Sequence, residues 1–369
     1  MELNFKQRIF GLDALRATAI LMVVSSHVLW IYPKSNAFIP TLFELFGFWG
    51  VELFFVLSGF LIGSILYKTF VNENFTLKSV FHFLKRRWFR TLPNYYLVLI
   101  LNILIAFFLG FSIENTGSYF LFLQNFASKS PAFFPESWSL SIEEYTYLLL
   151  PFSLFFVGLS KVKNKAKLFL LVIVALILVF WMNKFYYHSQ HKISNLSEWN
   201  LNLKSVLLYR IDAILIGVLV AWFSFNYSSI WKQFKGVFAL IGFAILFFLM
   251  FGLIPMNLTI EQNPFFWNVL YLPITSVAFA FLLPFFSEWK TYANPVLYPV
   301  ELISKISYSI YLLHYSIILQ LLRVFMDTSQ MSTTERHFFT FIYLSITFLL
   351  SYILYRFYEK PIMNWRDKQ

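Results

Sequence analysis

Apolar residues run along this chain in blocks of about twenty, separated by short polar stretches, and the pattern repeats from one end to the other. About 20 consecutive apolar residues is the length an α-helix needs to cross a bilayer. Ten blocks fit: 11–32, 43–66, 92–111, 143–160, 167–186, 205–225, 236–254, 266–286, 302–325 and 338–357. They predict an all-α polytopic membrane protein of about ten helices, forming one transmembrane domain over residues 1–369. The fourth block is short and begins with two glutamates. The longest connection, 112–142, is too short to hold a soluble domain, and no internal repeat or low-complexity linker interrupts the pattern.

Composition agrees. Of the 369 residues 59% are hydrophobic and 13% charged, about half the charged fraction of a soluble domain. The net charge of +11 would suit a nucleic-acid partner, but its distribution points elsewhere. With the N-terminus placed inside, six cationic residues fall in outer loops: Lys34, Lys129, Lys184, Lys192, Lys204 and Arg336. Arg16, Arg210 and Arg323 fall within spans, and all the others lie in the terminal segments and inner loops. This asymmetry is the positive-inside pattern, and it predicts two cytoplasmic termini, as an even number of spans requires. Only Lys6 and Arg8 precede the first block, with no small-residue cleavage site after it, so it is expected to remain as a helix. The chain has no cysteine, which removes disulfides, thiolate metal sites and a cysteine nucleophile.

Ionisable residues inside apolar blocks are costly and call for a function. The first block carries Arg16 and His27. Eleven helical residues bring them back to within roughly 20° of one face, about 16 Å apart along the axis. Arg16 alone reads equally well as an interfacial anchor, and a lone His27 as a packing residue; the shared face favours a functional pair. A neutral imidazole is a suitable general base near pH 7. Glu52 lies several residues inside the second block, and Gly59 and Gly63, four apart, allow close helix approach. The connection after that block holds Lys85, Arg86, Arg87 and Arg90, whose forks suit phosphate contacts, or equally anionic lipid.

Ser137-Trp-Ser-Leu-Ser141 leads into Glu143 and Glu144, with Ser141 as a candidate N-cap. Arg210 and Asp212 open the sixth block, where a mutual ion pair is the plain reading. His314 sits mid-span in the ninth block, and Glu359-Lys360-Pro361 closes the last, the proline ending the helix and the charge pair anchoring it. By depth, His27, Glu52, Glu143, Glu144, Arg210 and Asp212 fall in the outer half, and Arg16, Arg86, Arg87 and Arg90 towards the inner face. The resulting expectation is a through-protein cavity, cationic at its cytoplasmic mouth and rich in acids and bases further out.

Together these motifs resemble the acyltransferase-3 family of integral membrane O-acyltransferases. Its hallmark of Arg or Lys, ten residues, then His is matched by Arg16 and His27. The likeness continues in order through GVELFFVLSGFLIG, RRWFRTLP, SWSLSIEEYTYLLLP, YRIDAILIG, ISYSIYLLHYSI and FYEKP. The family's second-span acid is often aspartate, so Glu52 departs from the pattern while keeping the charge. The resemblance implies transfer of an acyl group, usually acetyl, from cytoplasmic acyl-CoA to a hydroxyl of a glycan, glycolipid or glycosylated acceptor at or beyond a bacterial inner membrane. Some relatives carry an added SGNH-type hydrolase-like domain; none is expected here, leaving a stand-alone membrane domain that works alone or with a separate protein. In this reading Arg16, Arg86, Arg87 and Arg90 hold CoA phosphates, and a pantetheine arm is of the same order as the ~16 Å between Arg16 and His27. His27 is the general base or a transient acyl carrier, and Glu52 or Glu143 orients its imidazole. Glu144, Arg210, Asp212 and His314 are candidates for acceptor binding.

The rival from another class is a carrier of acyl groups or small molecules that performs no chemistry, although no matched pair of Gly/Pro-broken spans marks an inverted repeat. The His-x4-Asp acyltransferase signature and a Gly-x-Ser-x-Gly elbow are both absent. No metal is expected, because the membrane histidines are single in their spans and His188 and His191 fall in an outer loop without nearby carboxylates.

Overall fold

In the computed structural model the described residues are all except 1–7, 36, 73, 114, 130, 161, 192–194, 292–296 and 369; Lys6 and Lys192, counted in the charge pattern, lie outside them. Helices occupy all ten predicted blocks: α1 Phe10–Val28, α2 Phe38–Asn72, α3 Leu77–Leu109, α4 Ser137–Gly158, α5 Lys165–Gln190, α6 Ile211–Asn226, α7 Lys235–Phe251, α8 Phe266–Glu288, α9 Tyr298–Phe325 and α10 Thr333–Arg366. No strand occurs among the described residues. Eight of these helices are long and apolar enough to cross a membrane, whereas α6 and α7 have 16 and 17 residues. Arg16 in α1 and Arg90 in α3 line one cavity, and Arg366 at the end of α10 donates to the Arg86 carbonyl at 3.0 Å, so both described ends of the chain lie at one face, called here the terminal face.

Several boundaries differ from the sequence expectation, each for a local reason. Helix α3 begins fifteen residues before its apolar block, at a capping box in which Thr76 and Ser79 bond each other's backbone N–H groups. Lys85 to Pro93 is therefore helix rather than loop. Helix α4 starts at Ser137, so Ser141 is not its cap; the Ser141 hydroxyl accepts from Gln124 Nε2 at 2.7 Å instead. The six-residue displacement moves Glu143 about 9 Å deeper than expected. At the far end Pro361 does not stop α10. A π-helical turn over Tyr355–Glu359 precedes it, and the proline sits in the first turn of the continuing segment Lys360–Arg366, where its missing N–H costs nothing.

Helix α2 is the central post, packed by α1 on one side and by α6 and α8 on the other. The contact with α6 is backbone to backbone. A methyl group on Gly59 would lie 1.9 Å from the Ile214 carbonyl oxygen, and one on Gly217 would lie 2.1 Å from that of Val56. Gly63 is equally closed, by Val218 Cα at 2.8 Å, so the small-residue spacing does bring helices together. Large apolar side chains such as Phe107, Phe108, Phe247 and Phe357 cover the outside, as a lipid-facing surface requires.

Candidate active site

Arg16 and His27 do share a face of α1, and both meet α9. The Arg16 guanidinium donates to Ser304 Oγ at 3.2 Å and to Asp13 at 3.1 Å, and Ser304 Oγ donates to Asp13 at 2.8 Å. Ten residues further along α9, His314 Nε2 lies 3.2 Å from His27 Nδ1, with the two rings edge to face at 4.8 Å. The histidines that sequence treats as single are neighbours.

Their hydrogen bonds fix the tautomers. His314 Nδ1 lies 2.8 Å from the Tyr311 carbonyl and 3.1 Å from that of Ile310. Carbonyls only accept, so Nδ1 carries the proton and Nε2 keeps its lone pair. His27 Nδ1 faces that lone pair and, at 2.9 Å, the Val23 carbonyl, so it too is protonated. His27 Nε2 is left with a free lone pair and no partner among the described residues. His314 is wholly enclosed while His27 keeps part of its surface open. His314 also begins a π-helical turn, His314–Leu319, a local widening that recurs at functional positions in helices.

Glu136, which the sequence reading passed over, supports that turn. It is the residue before α4, buried at 5% exposure, and its Oε1 accepts from the Ser316 N–H at 3.0 Å and the Ser316 hydroxyl at 2.5 Å. Its backbone carbonyl takes the Tyr311 hydroxyl at 3.0 Å. Burial outweighs these bonds and pushes the Glu136 carboxyl up to about 7. The only sequence signal was an acid directly before the Ser-Trp-Ser run.

On the terminal side of Tyr311 lies a cavity of about 110 Å³, lined by Arg16, Arg87, Arg90, Glu143, Tyr147 and Ser58 among others. Tyr147 donates to Glu143 at 3.2 Å and shares a 2.8 Å hydrogen bond with Ser58. Among the described residues Arg87 and Arg90 have no ion-pair partner, leaving this cavity strongly cationic. Glu143 thus stands among the arginines instead of in the outer half. The lining includes Tyr311 but neither histidine. The expected continuous tunnel is interrupted at that tyrosine, whose ring lies 5.8 Å from His314 and whose hydroxyl is within 2.6 Å of Ser139 Oγ.

Other expectations are corrected by the partners the side chains choose. Glu52 does not touch His27: its carboxylate is bonded by Arg210 and by Ser276, with all three side chains buried. Asp212 is paired with Lys184 at 2.5 Å and receives Trp181 Nε1 at 3.1 Å, so the Arg210–Asp212 pair does not form. Lys184, assigned from sequence to an outer loop, is fully buried in α5. Arg210 Nε and Nη1 and Asp212 Oδ1 have no hydrogen-bond partner among the described residues. Glu144 turns away from the cavity to accept from Thr91 at 2.7 Å. Arg86 is 58% exposed, near Asp367 at 3.9 Å, and does not line the cavity. Glu359, expected to pair with Lys360, is buried and takes hydrogen bonds from Asn94 at 2.9 Å and Ser309 at 2.7 Å.

The fold and this arrangement define a class: a helical membrane-spanning protein with a buried histidine pair and an arginine-lined cavity. Within that class the chain belongs to the acyltransferase-3 family, whose model, described as an acyltransferase domain, matches residues 9–356. It is 27% identical to the peptidoglycan O-acetyltransferase OatA of Listeria monocytogenes, over 95% of this chain and 55% of that protein. It is 26% identical to the O-acetyltransferase OatA of Staphylococcus aureus, over 95% of this chain and 57% of that protein. The chain thus spans little more than half the length of these curated relatives. No solved structure matches it.

Proposed function

We propose that this chain is a membrane O-acyltransferase that moves an acyl group, acetyl in the first instance, from cytoplasmic acyl-CoA to a glycan hydroxyl at or beyond the membrane. The observation that carries the reading is the pairing of a free His27 Nε2 with an arginine-lined cavity, His314 and Tyr311 standing between them. The terminal face is then the cytoplasmic one, as the charge pattern favours, and the membrane is a bacterial inner membrane.

The donor set suits a polyanion. Arg87 and Arg90, with no ion-pair partner among the described residues, and Arg16, shared with Asp13, would hold the phosphates of the CoA nucleotide. Bound acyl-CoA supplies an activated carbonyl and a sulfur leaving group. His27 takes the acceptor hydroxyl's proton at Nε2 as the oxygen bonds to the acyl carbon, and returns that proton to the sulfur as the carbon–sulfur bond breaks. His314 Nε2, accepting from the His27 Nδ1–H, holds the His27 tautomer and shares the positive charge while the proton is held, the role a carboxylate plays in other triads. Tyr311 must swing aside for the two halves of the site to meet. Glu143 counters the cavity's positive charge, and Glu52 with Arg210 braces α2 against α6 and α8. The peptidoglycan named for the Listeria relative makes a cell-wall glycan the first acceptor to try.

The test uses proteoliposomes with acetyl-CoA on the arginine side and a glycan acceptor on the other. Release of the CoA thiol together with an O-acetylated product supports transfer; an intact thioester carried across would support a transporter. Near-normal transfer by purified His27→Ala protein overturns the assignment.

A further inference from the structure

On the face opposite the arginine cavity, a row of aromatic rings leads outward from His27. The Tyr315 ring lies 4.5 Å from the imidazole and the Trp30 ring 5.8 Å from Tyr315. Trp30 is 53% exposed, directly after α1 in the short 3-10 turn Leu29–Ile31. The Arg323 guanidinium stands 5.8 Å from the centre of its ring. Arg323 forms no ion pair among the described residues. Its neighbour Asp327 is an exposed acid that feels the Arg323 charge without pairing with it, its carboxylate accepting from the Ser329 N–H at 2.9 Å and the Ser329 hydroxyl at 2.8 Å.

A tryptophan at a membrane boundary serves as an ordinary interfacial anchor. This one differs in two respects: a cation occupies one side of its ring, and the ring continues a row that ends at the base. Tyrosine and tryptophan offer broad apolar faces at low conformational cost, and the C–H faces of a pyranose stack on such rings. A guanidinium freed from ion pairing is the matching group for a carboxylate.

Building on the transferase reading, we propose that Tyr315, Trp30 and Arg323 form the acceptor subsite, taking a carboxylate-bearing sugar chain. The ring that presents its hydroxyl lies over Tyr315 beside His27 Nε2, the next ring stacks on Trp30, and the carboxylate meets Arg323. Trp30 and Arg323 are specificity-determining residues in this scheme, with no part in proton transfer.

The experiment is equilibrium binding by calorimetry, with the full chain in phosphatidylcholine nanodiscs so that no anionic headgroup competes. The probe is the disaccharide N-acetylglucosaminyl-N-acetylmuramic acid, used as the free acid and as its methyl ester. Trp30→Ala is expected to weaken both forms at least tenfold. Arg323→Gln is expected to weaken the free acid at least tenfold and leave the ester unchanged, both variants keeping the wild-type melting temperature. Wild-type affinity in either variant, equal loss of acid and ester in Arg323→Gln, or absence of binding to wild-type protein would each overturn the subsite. Binding that follows the expected pattern without any acetyl transfer would leave the subsite standing and bring down the transferase reading instead.

Discussion

Around Glu52 the bundle buries four charges and gives each an opposite partner, Glu52 with Arg210 and Lys184 with Asp212. Around Arg16 it gathers three arginines about a cavity that also holds Glu143, and two of them have no ion-pair partner among the described residues. The first cluster ties α2, α5, α6 and α8 together. The second keeps an excess of positive charge, three arginines to one glutamate, next to open space, which a protein meant only to fold would have no reason to keep. Charge inside a membrane protein is therefore informative by its pairing: a matched pair reads as framework, an unmatched cation beside a void as a binding site.

The contrast can be broken by substitution, beginning with the largest effect. His27→Ala should lower transfer by about 10³-fold while the protein still purifies as a folded species, measured as acetylated product per minute. Glu52→Ala should act oppositely, destabilising by about 3–5 kcal/mol because Arg210 is left charged and enclosed. Thermal unfolding in detergent measures this, and a paired Glu52→Leu, Arg210→Met variant should recover most of the loss. A single Glu52→Ala variant that melts like wild type would remove the distinction between the two clusters.

Glu136 allows a pH test. Its folded-state carboxyl titrates near 7, above the usual carboxylate value of about 4.3. The folded protein therefore binds the proton more tightly than the unfolded chain, and stability falls as pH rises from about 4.5 to 7. Glu136→Gln should flatten that part of the profile, by roughly 1–3 kcal/mol across the window. The smallest contrast lies among the arginines. Arg87→Ala should raise the acetyl-CoA KM about tenfold, while Arg86→Ala, on the exposed side of the same helix, should change it less than about twofold. Equal effects in the two would place the donor outside the cavity.

The ten-helix plan was legible because apolar block length reports directly on membrane crossing. The Arg16–His27 face was legible because both residues sit on one helix, where spacing alone decides direction. Helix starts were less so. The basic stretch before Pro93 and the serine-rich stretch before Glu143 are helical without being apolar, and this misplaced Glu143 in depth. Partners were the least legible. His27 and His314 are 287 residues apart, and nothing local says that Lys184 will choose Asp212 or that Arg210 will prefer Glu52. Those choices belong to tertiary packing, where burial forces each charge to find the nearest opposite one.

The widened turn that begins at His314 adds one residue to a helix that otherwise advances about 100° per residue. Were the same residues wound as regular α-helix, everything from Gln320 onward would be rotated by about that angle relative to His314. Arg323 would then leave the indole of Trp30 while His314 still faced α1. The bulge acts as a phase shifter, setting one helix so that its inner half meets His27 and its outer half meets the exposed tryptophan. Deleting a single residue between Tyr315 and Leu319 would remove the bulge and leave the two halves in register, whereas winding every residue as regular α-helix would part them.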